Sequence, residues 1–582
     1  MVNERMNDIY DAISDNKDTF KLEDGKIDEK LNEIETSSLR KRGKNSNVKT
    51  KFLFQNKNRK SKTTSQGLSN SNVEYIPFES QLVSHLCPVL NYYTVKAYLS
   101  KKVAEKVRLM PNVISCEIAG KLEKPKYKKY NIHTAKATKA TTNKFKRDTT
   151  SSTYYNINDI KKETGWSSVG VQANASRHLS VLSQYNYNST LVKSYDDNYY
   201  YPTSGGQFID MYFIDEGISV NHIDFKTYKG KTFERTVSCD MTVEYGELGI
   251  MTEEKKRNCD ITSSDQFHGT SSASVAAGYK YGVAKRANIH MIATDFYDYD
   301  FLVALDYIKT HGKPYKSIIN VSRNGIDTFQ KNIQNKINEV VNAGFLIFAS
   351  AGNDGQDACD KTYRNKFVGY DNVIGVASTF NDESSLSGIY TEAYYSNYGE
   401  CIDFHAPGFV TTADFTGCSR TSSTTCSEFD YVEGTSFASP IVAGLAALIM
   451  SEHPNTKYTY KTMRETLINM SIKNIVKKMG SKTTPNRFVN NGKHIVYSSD
   501  NKYSGCGTLA GNTQCSNGCC SKDNVCVNPM NDKNGLCQIN NGCQSNFGSC
   551  DVMMIDPVDA YGISLDTIIK SININHAFIN NL

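Results

Sequence analysis

The sequence predicts a multidomain α/β protein in which a mostly parallel sheet is flanked by helices, preceded by a small α+β unit and followed by a small disulfide-rich module. Three observations predict this arrangement. The chain has 582 residues, more than one hydrophobic core usually serves. Short β-branched runs alternate with helical stretches between Gly206 and Met450. Eight of the 16 cysteines lie between Cys506 and Cys550.

The chain begins with polar sequence. Residues 1–72 are rich in Lys, Asn, Asp, Glu and Ser, so we predict a disordered polar region. Within residues 73–120, YYTVKAYL predicts a strand, SKKVAEKVRLM a helix and PNVISCEI a second strand. Residues 121–158 form a Lys- and Thr-rich linker whose dibasic pair, Lys146 and Arg147, is a candidate processing site. A solvated basic spacer explains that composition equally well.

The predicted parallel sheet lies within residues 159–498. The runs FIDMYFID, SIINVS, FLIFASAG and VIGVAS predict buried strands, whereas HGTSSASVAAG and SFASPIVAGLAALIM predict helices. In such sheets the ligand site lies at the carboxyl ends of the strands. Asp215, Asn320, Ser322 and Asn353 stand at those ends, so we expect them at one edge of the sheet.

The cysteine-rich segment, residues 504–551, is too small to fold by apolar burial alone, which predicts an oxidising compartment. The opening MVNERMNDIYDAISDN has no apolar core of the kind a signal peptide requires. We give more weight to the cysteines and expect a secreted or cell-wall protein, although no signal peptide is visible. No role is assigned to the tail, residues 552–582.

The bulk properties exclude several partners. Lys and Arg number 67 against 61 Asp and Glu, and the basic residues are scattered, so we predict no nucleic-acid partner. The longest apolar stretch, Ile441 to Met450, is about half the roughly 20 residues of a bilayer span and predicts a buried helix. No metal-ligand spacing stands out. We expect a monomer without a membrane partner.

Four polar residues could together carry nucleophilic hydrolysis, which needs a hydroxyl, an imidazole, a carboxylate and donors for the oxyanion. Ser436 opens the helix of GTSFASP, where free N–H groups favour developing negative charge. His268 opens a helix of small residues. Taken singly, each has a structural explanation, since such motifs often only cap helices. Together with Asp215 and Asn353 they supply all four groups.

The motifs FIDEGI, HGTSSASVAAG, FASAGND and GTSFASP, in this order, resemble those of the subtilisin-like serine proteases (peptidase family S8), especially the proteinase K type. The resemblance implies that Asp215 orients the imidazole, His268 is general base and then acid, and Ser436 is the acyl nucleophile. It implies that Asn353 donates to the oxyanion beside the Ser436 N–H. It also implies protein or peptide substrates and no required cofactor, although relatives often bind structural calcium.

The resemblance also implies substrate contacts. By alignment with the family's Ser-Leu-Gly strand and its neighbour, the predicted substrate-binding residues are Ser322, Arg323, Asn324, Ser350, Ala351 and Gly352. Arg323 departs from the family pattern, and our hypothesis is that it disfavours basic side chains nearby. Two other departures, Glu216 after the aspartate and Ser271 in place of a second histidine, remove no catalytic group.

Residues 73–120 resemble the ferredoxin-like inhibitory propeptide of this family through VKAYLSKKVAEKVRLMPNVISCEI, which implies a zymogen inhibited by its own propeptide. An unrelated α+β domain remains the alternative.

The segment CGTLAGNTQCSNGCCSKDNVC resembles a hevein-like chitin-binding module. That resemblance implies the pairs Cys506–Cys520, Cys515–Cys526, Cys519–Cys537 and Cys543–Cys550, with Ser521 as a sugar contact. Asp523, Val525 and Leu536 replace the expected aromatic residues, so a disulfide-stapled spacer is the alternative to chitin binding. In the catalytic region, proximity suggests a Cys418–Cys426 bridge.

Two other functions compete with an active endopeptidase. One is a catalytically inactive scaffold that acts as a carbohydrate-binding protein, which the intact set of four residues disfavours. The other is a dedicated processing protease, since kexins carry Asp-Asp-Gly where this chain has Asp-Glu-Gly. The GTSFASP motif and the absence of a trailing β-domain disfavour the second alternative.

Overall fold

The computed structural model describes residues 1–36, 49–56, 73–120, 128–130, 154–185, 196–261, 267–295, 297–323, 329–359, 367–380, 390–414, 426–498 and 504–551. The chain divides into two compact units. The first comprises Met1–Arg147, Lys161–Ser183 and Asp197–Lys493, and the second comprises Asp148–Ile160, Gln184–Asp196 and His494–Leu582.

The helices in the described part of the chain are α1 (Val2–Ser14), α2 (Asn32–Thr36), α3 (Lys101–Arg108), α4 (Ile157–Thr164), α5 (Arg177–Ser180), α6 (Glu253–Arg257), α7 (Phe267–Ala277), α8 (Asp298–His311), α9 (Lys331–Asn342), α10 (Thr435–Glu452) and α11 (Tyr460–Met470).

The strands in the same residues are β1 (Lys49–Phe54), β2 (Val73–Phe78), β3 (Val83–Val89), β4 (Tyr92–Ala97), β5 (Lys128–Tyr130), β6 (Val169–Gln172), β7 (Tyr199–Pro202), β8 (Asp210–Asp215), β9 (Gly217–Ser219), β10 (Val237–Glu244), β11 (Glu247–Leu248), β12 (Asn258–Asp260), β13 (Asn288–Thr294), β14 (Ser317–Val321), β15 (Leu346–Ser350), β16 (Ile374–Phe380), β17 (Thr391–Glu392), β18 (Phe404–Pro407), β19 (Phe409–Ala413), β20 (Phe429–Glu433), β21 (Ile472–Lys473), β22 (Arg487–Phe488), β23 (Cys519–Cys520) and β24 (Cys526–Val527).

The first unit contains an 11-stranded sheet in the order β11-β10-β13-β8-β14-β15-β16-β18-β22-β21, with β17 paired to β16. The pairs from β10 through to β22 along this order are parallel, and the pairs made by β11, β17 and β21 are antiparallel. Every residue of β8, β14 and β15 is buried, as expected for parallel strands covered on both faces. The predicted mostly parallel α/β sheet is confirmed.

The N-terminal residues are folded in the structure, which differs from the predicted disordered region. Helix α1 buries Met6, Ile9, Tyr10 and Ile13, whose spacing places them on one helical face. Asn7 joins this helix to β1, because its side chain donates to the Phe52 carbonyl and accepts from the Phe52 N–H, both at 2.7 Å. The prediction used the polar composition averaged over residues 1–72, and a short apolar stripe within one helix hardly changes that average. Residues 37–48 and 57–72 lie outside the described residues.

The predicted strand and helix of the α+β unit are present as β4 and α3. Ser100 caps α3 by accepting a hydrogen bond from the Val103 N–H. β3 and β4 form an antiparallel hairpin, whereas β1 and β2 form a separate parallel pair. The segment PNVISCEI, predicted as a second strand, pairs with no strand among the described residues, and its Ile114 and Ile118 are exposed.

The hairpin of β3 and β4 packs on two helices that flank the large sheet. Leu86, Cys87 and Val89 share a hydrophobic core with residues of α8 and α9. Lys336 of α9 is fully buried and donates to the Pro88 carbonyl at 2.8 Å. This buried cation also bonds to the carboxylates of Asp306 in α8 and Glu339 in α9, so its charge is compensated where the hairpin docks.

The cysteine-rich module contains the four disulfides that the hevein resemblance implied, Cys506–Cys520, Cys515–Cys526, Cys519–Cys537 and Cys543–Cys550. Ser521 is 1% exposed, and its hydroxyl accepts from the Val525 N–H at 3.2 Å. This side chain closes a buried turn, which argues against the sugar contact predicted for Ser521.

The catalytic region has its own disulfides. Cys239 pairs with Cys259 and Cys359 pairs with Cys401. The predicted partner of Cys426, Cys418, lies outside the described residues. Cys87 and Cys116, both in the α+β unit, are unpaired thiols.

Helix α10 is long and apolar enough, by length and composition, to cross a bilayer. However, 89% of its 18-residue apolar window is buried inside the protein. It packs against β14, β15, β16 and β18 and against α7. It is therefore the buried core helix that the sequence predicted.

Candidate active site

The candidate general base lies at the start of a helix that packs against the end of a sheet strand. β8 ends at Asp215, and His268 is the second residue of α7. His268 Nδ1 lies 2.8 Å from Asp215 Oδ1, and both side chains are buried. Gly269 permits this approach, because a Cβ atom there would lie 2.2 Å from the Gly217 carbonyl oxygen. The structure thus brings these two predicted residues into direct contact.

The Asp215 carboxylate has neighbours that favour its ionised form. The Glu216 N–H donates to Oδ1 at 2.8 Å, and Arg323 Nη2 lies 3.8 Å from the same oxygen. Burial alone would raise the pKa of Asp215, but the charges of His268 and Arg323 and the hydrogen bonds from His268 and the Glu216 N–H hold it below its ordinary value. An ionised Asp215 is suited to fix the His268 tautomer.

The Arg323 side chain lies inside the protein and not in a substrate pocket. It is 1% exposed and faces the Asp215 carboxylate and the Thr294 carbonyl group. This burial argues against direct contact of Arg323 with substrate, and the hypothesis that Arg323 disfavours basic side chains nearby stays a prediction. Its guanidinium is buried with the charged residues that surround Asp215. The neighbouring Asn324 lies outside the described residues.

Ser436 stands in the first turn of α10, where Ser322 holds its carbonyl group. Pro440 has no N–H, so it cannot make the helical hydrogen bond to the Ser436 carbonyl. Ser322 Oγ donates to that carbonyl oxygen at 2.7 Å instead. The Ser436 hydroxyl in turn donates to the Ser322 carbonyl at 3.4 Å. Ser322 therefore fixes the backbone at the candidate nucleophile.

Two further side chains orient Ser322. Asn320 Nδ2 donates to Ser322 Oγ at 2.8 Å, and Ser439 Oγ donates to Asn320 Oδ1 at 2.8 Å. This network joins the end of β14 to the first two turns of α10. His268 lies beside the same turn, since its ring centroid is 5.6 Å from that of Phe437.

Asn353 is held with its amide nitrogen on the side of the nucleophile turn. Its Oδ1 atom accepts from the Thr435 N–H at 2.8 Å and from Thr435 Oγ1 at 2.7 Å. The Nδ2 group is therefore the donor end of this amide, and it lies beside Gly434, where a Cβ atom would come within 3.3 Å of it. Gly434 has φ +157°, which favours glycine. A donor and the N-terminus of α10 thus flank Ser436.

The predicted substrate segment Ser350, Ala351 and Gly352 follows β15 next to this turn. The Gly352 N–H donates to Thr435 Oγ1 at 3.1 Å, and the Ala351 carbonyl accepts from Asn397 Nδ2 at 3.0 Å. These bonds fix the segment within the protein. Its contact with substrate stays a prediction.

Sequence analysis did not identify Thr435 and Asn397, which hold this turn. The hydroxyl that precedes Ser436 in GTSFASP was a usable signal for Thr435. No local pattern marks Asn397, because its contact with Ala351 joins residues 46 positions apart.

Ser271, which replaces a second histidine, is buried and donates to the Ala413 carbonyl at 3.1 Å.

One group of metal-capable side chains was found in the described residues, namely Cys506, Cys515 and Cys520. Their sulfur atoms form disulfides, so this group is not a metal site.

The chain resembles known proteins over the region just described. Residues 213–496 match the model of the subtilase family, peptidase S8. Similar curated proteins include Alkaline protease 2 of Aspergillus fumigatus, 29% identical over 51% of this chain and 56% of the relative. Subtilisin-like serine protease pepC of Aspergillus niger is 29% identical over 47% of each chain. Over these residues the chain is similar to the subtilisin-like serine proteases.

The chain spans about half the length of the curated relatives it matches. The putative subtilase-type proteinase isp6 of Schizosaccharomyces pombe is similar at 29% identity over 48% of this chain and 53% of the relative. A solved cold-adapted subtilisin-like serine proteinase is 23% identical over 55% of this chain and 99% of its own, with a TM-score of 0.42.

Proposed function

We propose that this chain is a serine endopeptidase that acts through an acyl-enzyme intermediate. The observation that carries the proposal is the buried 2.8 Å contact of His268 with Asp215, at the edge of the sheet where Ser436 opens α10. Support also comes from the subtilase family match over residues 213–496. Ser436 is the nucleophile, His268 the base and Asp215 the residue that orients it.

The reaction begins when the Ser436 hydroxyl turns from the Ser322 carbonyl to His268, which takes its proton as the oxygen attacks the substrate carbonyl. The oxyanion receives hydrogen bonds from Asn353 Nδ2 and the Ser436 N–H. His268 then gives the proton to the leaving amine, and the acyl group stays on Ser436. Water hydrolyses the ester by the same two proton transfers.

Fluorophosphonate labelling tests the proposal. We expect the active preparation of the full chain to be labelled on Ser436, and Ser436→Ala to lose both the label and peptide hydrolysis. Loss of the nucleophile should lower turnover by about a millionfold, the scale observed for the subtilisin triad. A folded wild-type protein that neither labels nor hydrolyses peptides contradicts the proposal and favours an inactive carbohydrate-binding scaffold.

We also propose that the protein is a secreted zymogen that residues 73–120 inhibit. The docking of the β3–β4 hairpin on α8 and α9 and the disulfides support this proposal. Wild-type protein should shorten as activity appears, whereas Ser436→Ala should remain full length. Equal shortening of both proteins would exclude processing by the chain itself.

Targeting to chitin is a finer proposal for residues 504–551, and it rests on the hevein-type disulfide pairing. The burial of Ser521 leaves no predicted sugar contact among the family positions, so a spacer function is the alternative. Retention of full-length Ser436→Ala on chitin beads, compared with cellulose beads, decides between the two. Equal passage through both supports the spacer.

A further inference from the structure

A short strand from the linker lies beside the strand that leads to Ser436. β5, Lys128–Tyr130, pairs antiparallel with β20, Phe429–Glu433, with Lys128 opposite Glu433 and Lys129 opposite Val432. Glu433 is three residues before Ser436 in the chain. A segment of this protein therefore occupies the backbone edge next to the candidate nucleophile as a bound peptide would.

The direction of β5 places it on one side of a scissile bond. β20 runs towards Ser436, and β5 is antiparallel to it, so the chain runs away from Ser436 from Lys128 to Tyr130. A peptide bound in this direction has its residues on the carboxyl side of the bond that Ser436 attacks. β5 therefore occupies the position of a leaving-group segment.

The Lys129 side chain lies in an acidic slot. Its Nζ atom is 2.8 Å from Asp414 Oδ1, 3.6 Å from Asp430 Oδ2 and 4.3 Å from the centroid of the Phe267 ring. Phe267 immediately precedes His268, and both carboxylates are mostly buried. An ammonium group held by two carboxylates and an aromatic face is bound by its charge as well as its shape.

A third carboxylate, that of Glu433, lies next to the slot. Lys128 Nζ lies 3.4 Å from Glu433 Oε1, and the Glu433 side chain is 2% exposed. Glu433 Oε2 is buried and has no hydrogen-bond partner within the described residues. Burial raises the pKa of Asp430, and the Asp414 charge acts in the same direction, so a cation between these carboxylates relieves an unfavourable arrangement.

We propose that Asp414, Asp430 and Phe267 form a subsite that selects Lys or Arg on the leaving-group side of the scissile bond of a peptide substrate. The strand β5 occupies this subsite in the full-length chain. β5 has only three residues and the Lys128 side chain is 62% exposed, so a substrate strand can displace it. This inference rests on the proposed endopeptidase function and adds a substrate preference to it.

The test uses quenched-fluorescence peptides of one constant sequence, in which each of the first three residues after the scissile bond is in turn Lys, Met or Glu. With the active wild-type preparation, kcat/KM at one position should be about 10-fold higher for Lys than for Met, because hydrogen bonds to charged groups contribute at this scale. Glu at that position should be cleaved more slowly than Met. Met matches the length of Lys without its charge.

The double variant Asp414→Asn with Asp430→Asn should reduce the Lys-to-Met ratio towards one, chiefly by lowering kcat/KM for the Lys peptide. Asp414→Lys should favour the Glu peptide. Glu253→Gln, an exposed change in α6, is the matched control and should keep the wild-type ratio.

Two results overturn the proposal and can be told apart. A wild-type enzyme that labels with fluorophosphonate and cleaves peptides, with a Lys-to-Met ratio near one at all three positions, overturns the subsite and leaves the endopeptidase function standing. A wild-type protein that neither labels nor cleaves overturns both. The wild-type ratio decides even where a slot variant does not fold.

Discussion

Single residues around Asp215 distinguish this site from the family pattern. Glu216 and Arg323 are the charged residues at which this chain departs from the motifs that it resembles, and they carry opposite charges. Burial lowers the pKa of Arg323, and the charges of Asp215, Glu216 and Asp295 oppose that shift. We infer that the two departures compensate each other in part, because Glu216 adds to the negative charge that Asp215 already places near the buried guanidinium.

Arg323→Leu tests this compensation. The charge of Arg323 is one of the causes that hold the pKa of Asp215 below its ordinary value, so its removal should raise that pKa. The pH midpoint at which the Asp215 carboxyl takes up a proton, followed by its NMR chemical shift, should therefore move to higher pH by about one unit, the usual scale for one nearby charge. Adding Glu216→Ser should return part of the shift. An unchanged Asp215 midpoint in a folded Arg323→Leu protein would show that Arg323 serves packing alone.

Asn353→Ala tests the oxyanion donor. The substitution removes Nδ2 and should lower kcat by about 100-fold to 1,000-fold with little change in KM, because the bond forms mainly in the transition state. It also removes an acceptor of the Thr435 N–H, so fluorophosphonate labelling should be followed in parallel. Thr435→Val, which keeps the backbone donor, is the control for a displaced turn. An equal loss of kcat in both variants would indicate displacement of Ser436 and not loss of a donor.

At the scale of elements, helices α1 and α10 differ in how much of their length is buried. Helix α1 attaches through an apolar stripe and one buried asparagine, and its Tyr10 packs edge-on against Phe52 and Phe78. Helix α10 instead is buried along nearly its whole length. The N-terminal attachment is therefore the more easily lost of the two.

Tyr10→Ala should release α1 from β1 and β2. Removing a buried aromatic side chain costs about 3 kcal/mol or more of local stability, which exceeds what a 13-residue helix holds by itself. Hydrogen exchange of the β1 and β2 amides should accelerate, whereas exchange in β8 and β14 should not change. Asp11→Ala, at an exposed position of the same helix, is the control. Equal exchange rates in the two variants would contradict this packing.

At the scale of the whole molecule, a buried carboxyl of α8 makes stability depend on pH. Asp300 of α8 is buried, and its Oδ1 atom accepts from the Gly246 N–H at 2.5 Å. Burial and the nearby Asp295 charge raise the pKa of Asp300 to about 8, against the opposing hydrogen bond and the Lys96 charge. Lys96 belongs to β4, so one charge of the docked hairpin acts on this carboxyl.

Asp300→Asn tests this dependence. Between the ordinary aspartate pKa near 4 and the folded value, the folded protein binds a proton that the unfolded chain has lost. The free energy of unfolding therefore falls as pH rises through this interval, by up to about 1.4 kcal/mol per pH unit from this one group. Asparagine keeps the acceptor and does not titrate. The Tm of wild type should fall relative to Asp300→Asn between pH 5 and pH 8, and parallel curves would contradict the prediction.

The sequence determined the sheet and the order of its motifs. Buried strands such as MYFI and FLIFAS are predicted because they are nearly continuous apolar runs. The polar residues at their ends share one edge of the sheet, because parallel strands end at the same edge. The adjacent cysteines and their spacing, read through the hevein resemblance, gave the pairing of the C-terminal module. The strands follow from local apolar patterns and the disulfide pairing from the spacing of cysteines along the chain. Both can therefore be predicted without knowing any tertiary contact.

Only the tertiary structure decided the partners of residues far apart in the chain. The guanidinium of Arg323 meets a carboxylate 108 positions earlier, and Lys129 meets Asp414 285 positions later. The apolar stripe of α1 could be interpreted only once its packing on β1 and β2 was known. A single sequence records which side chains are charged or apolar, but the direction in which each one points follows from packing against distant elements. For that reason the candidate triad could be predicted, whereas the charges around it and the slot for Lys129 could not.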